Sequence, residues 1–283
     1  MPELPEVETV RLILHPAIVG KTITSVTLRD FPAVLESVLS GVDPAATLVG
    51  RTILDTRRRG KYLFLELDQE LCLVVHLRMT GRLLIVPPTE PPVRFEHLAI
   101  HLVDGPDIRF GDQRKFGRVT LAGRNEIDRL DRRLGPEPFS ARLTPASLHA
   151  VLKSRPGRIK NALLDQRMIA GLGNIYVDEA LYRARIHPER ASNTLSLDEL
   201  GRVLRATRFV LNQALVRQGT TFSSFENPYG EPGTYANFLR AYGQTKGGGT
   251  CPRCGAPFAK IVVGGRGTTF CPRCQVNPAT IAD

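Results

Sequence analysis

Nowhere in the 283-residue sequence does an apolar run approach the roughly 18 residues of a membrane span, and its start shows no basic region leading into an apolar stretch. A soluble, cytoplasmic, monomeric protein with no membrane partner is expected. Acidic side chains are the minority. Against 38 Lys and Arg stand 28 Asp and Glu, giving a net charge of +10 and a pI near 9.7. That imbalance points to a polyanionic partner, and its placement sharpens the point. Residues 1 to 50 carry 3 basic and 6 acidic side chains, whereas residues 151 to 220 carry 12 and 6. A basic concentration beyond the middle of the chain also describes solvated helix faces, so it needs a motif beside it to mean binding. The length accommodates two domains with real cores.

Cysteine is scarce as well, and four of the five residues stand in two CPRC pairs: Cys251, Cys254, Cys271 and Cys274. Two Cys-x2-Cys pairs sixteen residues apart fit one tetrahedral zinc ion held by two knuckles. Disulfides are the poorer reading without signs of secretion. Four thiolates leave no open coordination position, so a single structural Zn2+ is expected. The fifth, Cys72 in LCLVVHL, reads as packed core.

Helical spacing of Val7, Val10, Ile13 and Leu14 predicts an N-terminal helix with Pro5 in its first turn. Between about 22 and 122 the chain alternates β-rich runs with turn signals: TITSVTLRD, YLFLELD, LCLVVHL, RLLIV, HLAIHLVDG and RVTLAG. Such spacing predicts a sandwich or barrel. After RRLGPEPF the period becomes helical. Thr144 with Pro145 opens one helix, and Ser196 with Glu199 forms a capping box for another that ends near Gly219. Between them, two amphipathic segments flank AGLGN, the pattern of a helix-turn-helix with a glycine turn. Asn174 is expected to cap the second of these helices, leaving free N–H groups that suit a phosphate. An ordinary capped helical hairpin fits these residues equally well. Residues 220 to 250, rich in Gly, Ser and Thr, read as a long mobile loop and a linker. The expected domains are 1–135, 136–240 and 241–283, in an α+β chain.

The opening MPELPEVETV has two readings. The plain one is a helix start with acidic residues at its positive end. The chemical one begins with removal of Met1, which leaves Pro2 a secondary amine; an α-amino group titrates near about 7.7 to 8.0. Such an amine attacks a carbon at the aldehyde oxidation level and forms an iminium ion, with Glu3 beside it as proton donor.

The order of PELPEVET, GKYLFLEL, HLRMTG, DQRKFG, LGPEP, LLDQRMIAGLGNIYVDEAL and CPRCG…CPRCQ resembles that of formamidopyrimidine-DNA glycosylases, over nearly the whole chain. The resemblance implies an N-terminal β-sandwich with an N-terminal helix, then a helix-two-turn-helix domain and a zinc-finger β-hairpin, with DNA in the cleft. It implies excision of 8-oxoguanine and formamidopyrimidines from double-stranded DNA, with Pro2 attacking C1′ and strand cleavage by β- and δ-elimination. Lys61 becomes a phosphate contact and proton donor, and Arg266 a phosphate clamp. Met79, Arg114 and Phe116 fill the gap left by the flipped nucleotide. Asn174, Tyr242, Arg155 and Lys160 are further DNA contacts. On the residues alone, Met79 and Phe116 read equally as core at strand ends, Lys61 as a snorkelling rim residue and Arg266 as a solvated hairpin tip.

Three features depart from the family pattern. Phe95 stands where a histidine is common, leaving only His97; Gly267 and Thr269 alter the finger; and VNPATIAD extends past the last motif as an expected disordered tail. A non-catalytic zinc protein for bent or gapped DNA and a glycosylase for oxidised pyrimidines are the competing readings. Pro2, Glu3, Lys61 and Arg266 together distinguish the enzyme from the binder.

Overall fold

The computed structural model describes residues 1–222 and 224–277. Its first helix, α1 (Leu4–Ile18), starts after Glu3 at the N-cap, whose N–H donates to the Glu6 carboxylate at 2.7 Å. Pro5 occupies the first turn, where a missing N–H is harmless. Leu4, Val7, Val10, Leu14 and Ile18 form the buried side.

There follow β1 (Ile23–Leu28), β2 (Leu35–Ser37), the short α2 (Pro44–Leu48), β3 (Ile53–Arg59), β4 (Tyr62–Leu67), β5 (Leu71–His76), β6 (Gly81–Val86), β7 (Glu96–Leu102), β8 (Asp107–Asp112), β9 (Arg118–Gly123) and α3 (Arg124–Arg133). One sheet runs β1-β7-β8-β6 and the other β2-β9-β5-β4-β3, with only the β2–β9 pair parallel. Period-two alternation supplies the core: Leu63, Leu65, Leu73, Val75, Val119 and Leu121 from one sheet, Leu83, Ile85, Leu98, Ile100, Ile108 and Phe110 from the other. On the outer face, Phe64, Cys72, Val74, Ala122 and Ile127 form a second cluster, and burial pushes the Cys72 thiol up to about 12. Cys72 is packed core, as its strand suggested.

Strands β2, β3 and β8 lie outside the β-rich runs of the sequence. β8 is the instructive one, because DIRFGD is buried throughout between β6 and β7. Its charges tolerate this because they are partnered: Arg109 reaches Asp107 at 3.0 Å and the Pro91 and Glu90 carbonyls at 2.7 and 2.8 Å.

The chain forms two compact units. Leu215–Ala236 belongs with Met1–Arg133, although it lies inside the expected 136–240 domain. Phe225 enters the sandwich core, the Ile85 N–H donates to the Pro228 carbonyl at 2.9 Å, and Arg82 pairs with Glu226 at 2.6 Å. Its described residues are thus fastened to the sandwich rather than looped away from it.

The second unit holds α4 (Pro145–Lys153), α5 (Ile159–Leu164), α6 (Asn174–Ala184) and most of α7 (Leu197–Val216), then the hairpin β10 (Ala259–Val263) and β11 (Arg266–Phe270). Two of the three expected caps are made. Thr144 accepts the Ser147 N–H at 3.1 Å, and Ser196 and Glu199 exchange bonds of 2.8 and 3.2 Å. α6 is buried on nearly every side rather than amphipathic. The cap of α6 is Gly173, not Asn174, which is already the first helical residue. Of the extension past the last motif, 278–283 lie outside the described residues.

Candidate functional site

Pro2 and Glu3 are buried at the start of α1, with Glu3 only 2% exposed. Glu6 organises this end: one carboxylate oxygen takes the Glu3 N–H and the other the Thr220 N–H, each at 2.7 Å. Lys61 lies in the two-residue loop between β3 and β4, where Arg59 pairs with Tyr62 and Gly60 adopts φ +57°. A positive φ at the first loop position alone is the II′ pattern, which glycine meets without strain. Lys61 is 7% exposed, on the side of β4 that carries Leu63 and Leu65.

Arg58 links these two places. Its guanidinium donates to Glu8 of α1 and to the Gly60 carbonyl, both at 3.0 Å, while Arg11 holds the other Glu8 oxygen at 2.7 Å. The helix start and the hairpin tip carrying Lys61 are therefore held in register by one half-buried ion-pair chain. Nearby, burial, followed by the charges of Arg78 and Lys61, drives the His76 imidazole down to about 3. That ring is neutral at neutral pH, and its Nδ1 accepts the Arg78 N–H at 3.0 Å. The sequence offers no sign of Arg58 or Thr220, since each matters through a partner distant in the chain.

Met79, Arg114 and Phe116 come together on the first unit. Met79 is 41% and Phe116 49% exposed. Arg114 joins them, donating to the Met79 sulfur at 3.1 Å and lying 4.9 Å from the Phe116 ring centroid. They are surface residues, not core. Buried Asp112 builds their platform, accepting the Arg114 N–H at 3.1 Å, the Gly117 N–H at 2.7 Å and the Thr80 hydroxyl. His97 is buried beneath, bridging Asp30 and the Asp112 carbonyl at 2.8 Å each. Phe95, in place of a histidine, stacks under Arg94 at 4.6 Å.

In the second unit, Arg266 is exposed just after the Gly264–Gly265 turn, whose φ values of +57° and +74° make a type I′ loop. A Cβ at Gly264 would meet Asn161 Oδ1 at 2.3 Å and one at Gly265 would meet nothing, so it is the positive φ of both residues that favours glycine at this tip. The neighbouring Gly267 carbonyl accepts from Asn174 Nδ2 at 2.9 Å and from Lys160 Nζ at 3.3 Å. Lys160 is fully buried, and its ammonium also holds Asp178 at 2.6 Å and Thr268 at 2.7 Å. This corrects the expectation of a DNA contact at Lys160: its charge is spent inside the protein. Asp178 in turn accepts the Thr269 N–H at 3.0 Å, and burial raises its carboxyl to about 6 against the pull of Lys160. Glu179, also raised by burial, accepts the N–H groups of Arg240, Ala241 and Tyr242 at 2.8 to 3.1 Å, which fixes the backbone at Tyr242. Arg155 is exposed.

Replacing Lys160 with Met strands Asp178 in the interior. A loss of about 3–5 kcal/mol is expected, with most of it recovered when Asp178→Leu is added. Denaturation midpoints of the single and double variants check this, and a single variant as stable as the parent would refute it.

The four knuckle sulfurs lie within 4.8 Å of one another, with Cys251 to Cys274 at 3.8 Å and Cys254 to Cys271 at 3.5 Å. A tetrahedron with zinc–sulfur bonds of about 2.3 Å has edges of about 3.8 Å, so these residues fit one zinc ion. Burial and then the adjoining sulfurs push the Cys274 thiol up to about 12, a crowding that a divalent cation relieves. Gln275 braces the second knuckle, accepting the Cys271 N–H and donating to the Ile186 carbonyl, both at 2.9 Å.

Together these features define a two-unit zinc protein: a sandwich bearing a buried N-terminal Pro-Glu pair and a Met-Arg-Phe wedge, and a helical unit bearing a hairpin arginine. Three domain families match it. Residues 1–119 match the formamidopyrimidine-DNA glycosylase N-terminal domain, 134–226 the formamidopyrimidine-DNA glycosylase H2TH domain, and 248–276 the zinc finger found in FPG and IleRS. The formamidopyrimidine-DNA glycosylase of Chloroflexus aurantiacus is 43% identical over 277 residues, 98% of each chain. A Lactococcus lactis FPG mutant in complex with a Fapy-dG containing DNA superposes with TM-score 0.88 at 36% identity, covering 98% of this chain and 100% of that one. MutM in complex with carbocyclic 8-oxo-G containing DNA gives the same values. The chain belongs to the formamidopyrimidine-DNA glycosylase family.

Proposed function

We propose that this protein is a bifunctional DNA glycosylase and AP lyase that removes oxidised purines, 8-oxoguanine and formamidopyrimidines, from double-stranded DNA. The observation that carries the reading is the buried start of α1, where Pro2 and Glu3 are fixed by Glu6 and tied through Glu8, Arg58 and Gly60 to the loop bearing Lys61. A terminus with no chemistry to perform has no need of such fixing. The relatives in complex with Fapy-dG and 8-oxo-G DNA support the substrate class.

A base in the duplex stack is out of reach, so the nucleotide is flipped at a cost of a few kcal/mol. Met79 and Phe116 wedge into the gap, and Arg114 offers its guanidinium to the orphaned base. Once Met1 is removed, the Pro2 nitrogen attacks C1′. The glycosidic bond breaks, its electron pair leaving with the base, and Glu3 delivers a proton to the sugar ring oxygen as the ring opens. The iminium acidifies the C2′ proton. Loss of that proton expels the 3′ phosphate with Lys61 as proton donor, and a second elimination expels the 5′ phosphate with Arg266 on its oxygens. Arg155, Tyr242 and Asn174 hold the backbone, Asn174 acting through its bond to Gly267 beside Arg266.

Borohydride reduction during turnover on lesion-containing duplex is the test. A stable protein–DNA adduct located on Pro2 by mass spectrometry is the expected result; no adduct, with the DNA bound but intact, would favour the non-catalytic binder. Affinity for lesion-free duplex should be weaker and fall steeply with salt, with a log–log slope of about −0.9 per phosphate neutralised. A flat plot would be incompatible with the basic surface proposed.

A further inference from the structure

At the C-terminal end of α6, roughly 16 Å along the helix from Asn174, the second unit has a cleft that the proposed chemistry does not use. It is an open surface cleft of about 370 Å³ between Arg183 and Ala184 of α6 and Arg202, Arg205, Ala206 and Phe209 of α7. The α7 residues fall at i, i+3, i+4 and i+7, one face of the helix. Both alanines are buried and floor the cleft, and Phe209, 43% exposed, forms a wall.

Arginines at a helix C-terminus commonly serve its bare carbonyls. Two here do so: Arg202 donates to the Ala184 carbonyl at 3.4 Å, and Arg253 to that of Tyr182 at 2.8 Å. Arg183 and Arg205 are different. Among the described residues neither has a carboxylate or carbonyl partner, and both are exposed. Arg183 is instead stacked on the Phe209 ring at 3.4 Å, a contact that restrains the guanidinium without using its N–H donors. Among the described residues, the carboxylate paired with an arginine of the cleft is Asp198, 76% exposed, on Arg202.

We propose that this cleft docks an acidic segment of another protein, one that presents carboxylates to Arg183 and Arg205 around an apolar side chain seated on Ala184, Ala206 and Phe209. Fixed guanidiniums bind carboxylates in fork geometry. A phosphodiester backbone could use the same charges, but it has no apolar group for the alanine floor and the aromatic wall, so the peptide fits better. The inference stands independently of the chemistry at Pro2.

The probe is a fluorescein-labelled peptide of about twelve aspartates and glutamates with one central leucine, titrated by anisotropy into the zinc-loaded full chain. Saturable binding is expected. Arg183→Glu with Arg205→Glu should weaken it at least about tenfold, as should replacing the leucine by serine, while excision from lesion-containing duplex and the thermal midpoint stay unchanged. Absent binding, or binding indifferent to both changes, would overturn the proposal. So would a comparable loss of affinity for lesion-free duplex in the double variant, which would make the cleft a DNA contact.

Discussion

Protein that keeps Met1, or whose terminus is acetylated, is expected to bind lesion-containing duplex with nearly the parent affinity and yet fail both to release the base and to cut the strand. Either change converts the Pro2 nitrogen into an amide, whose lone pair is delocalised and no longer nucleophilic. A positioned nucleophile supplies an effective concentration of about 10⁵–10⁸ M, so losing it should slow excision by at least about a thousandfold. Exchange of Pro2 for Gly is a weaker test, because a primary amine survives. Of the side chains proposed to hold the DNA backbone, Arg155, Asn174, Tyr242 and Arg266 lie in the other unit and are unchanged by modification at Pro2. Single-turnover excision and equilibrium binding, measured side by side, separate the effects. Excision at the parental rate by amine-blocked protein would refute the mechanism.

Zinc removal should have the second large effect, and a selective one. The hairpin has little core of its own: Phe258 packs with the cysteines, Tyr182 and Ala241, and Phe270 meets the His187 ring edge-on at 4.6 Å. Structural zinc contributes an apparent ~10–16 kcal/mol in small finger domains, far more than those contacts can replace. Chelation or Cys251→Ser is therefore expected to disorder β10 and β11 and with them Arg266, while the sandwich that holds Pro2, Glu3 and Lys61 keeps its fold. DNA affinity should fall at least tenfold, and, on the chemistry proposed, the second elimination should suffer more than the first, so that β-elimination product accumulates. Metal analysis, binding and product gels read the three consequences. Metal-free protein with unchanged affinity and product ratio would exclude this role for the ion.

Several parts were legible from short stretches of sequence. The start of α1, the caps at Thr144 and Ser196, the zinc knuckles and the period-two strands each depend on residues a few positions apart, so the physical cause and the pattern occupy the same window. The family resemblance named Met79, Arg114 and Phe116, and the tertiary structure brings them into contact at the surface. What the sequence could not show is where a charged side chain finds its partner. β8 reads as polar and is buried, because Asp107 and Arg109 satisfy each other and nearby carbonyls. Lys160 is expected as a DNA contact in a basic stretch, yet Asp178, 18 residues on, and Thr268, 108 residues on, draw it wholly inside. Residues 220–235 read as a loop, and Glu6, Arg82 and Ile85, from far earlier in the chain, fasten it to the sandwich. Local periodicity, capping and ligand spacing are determined by the sequence itself; the fate of a buried charge is decided only by the fold, because desolvation is repaid by whichever group the tertiary structure brings within hydrogen-bond reach.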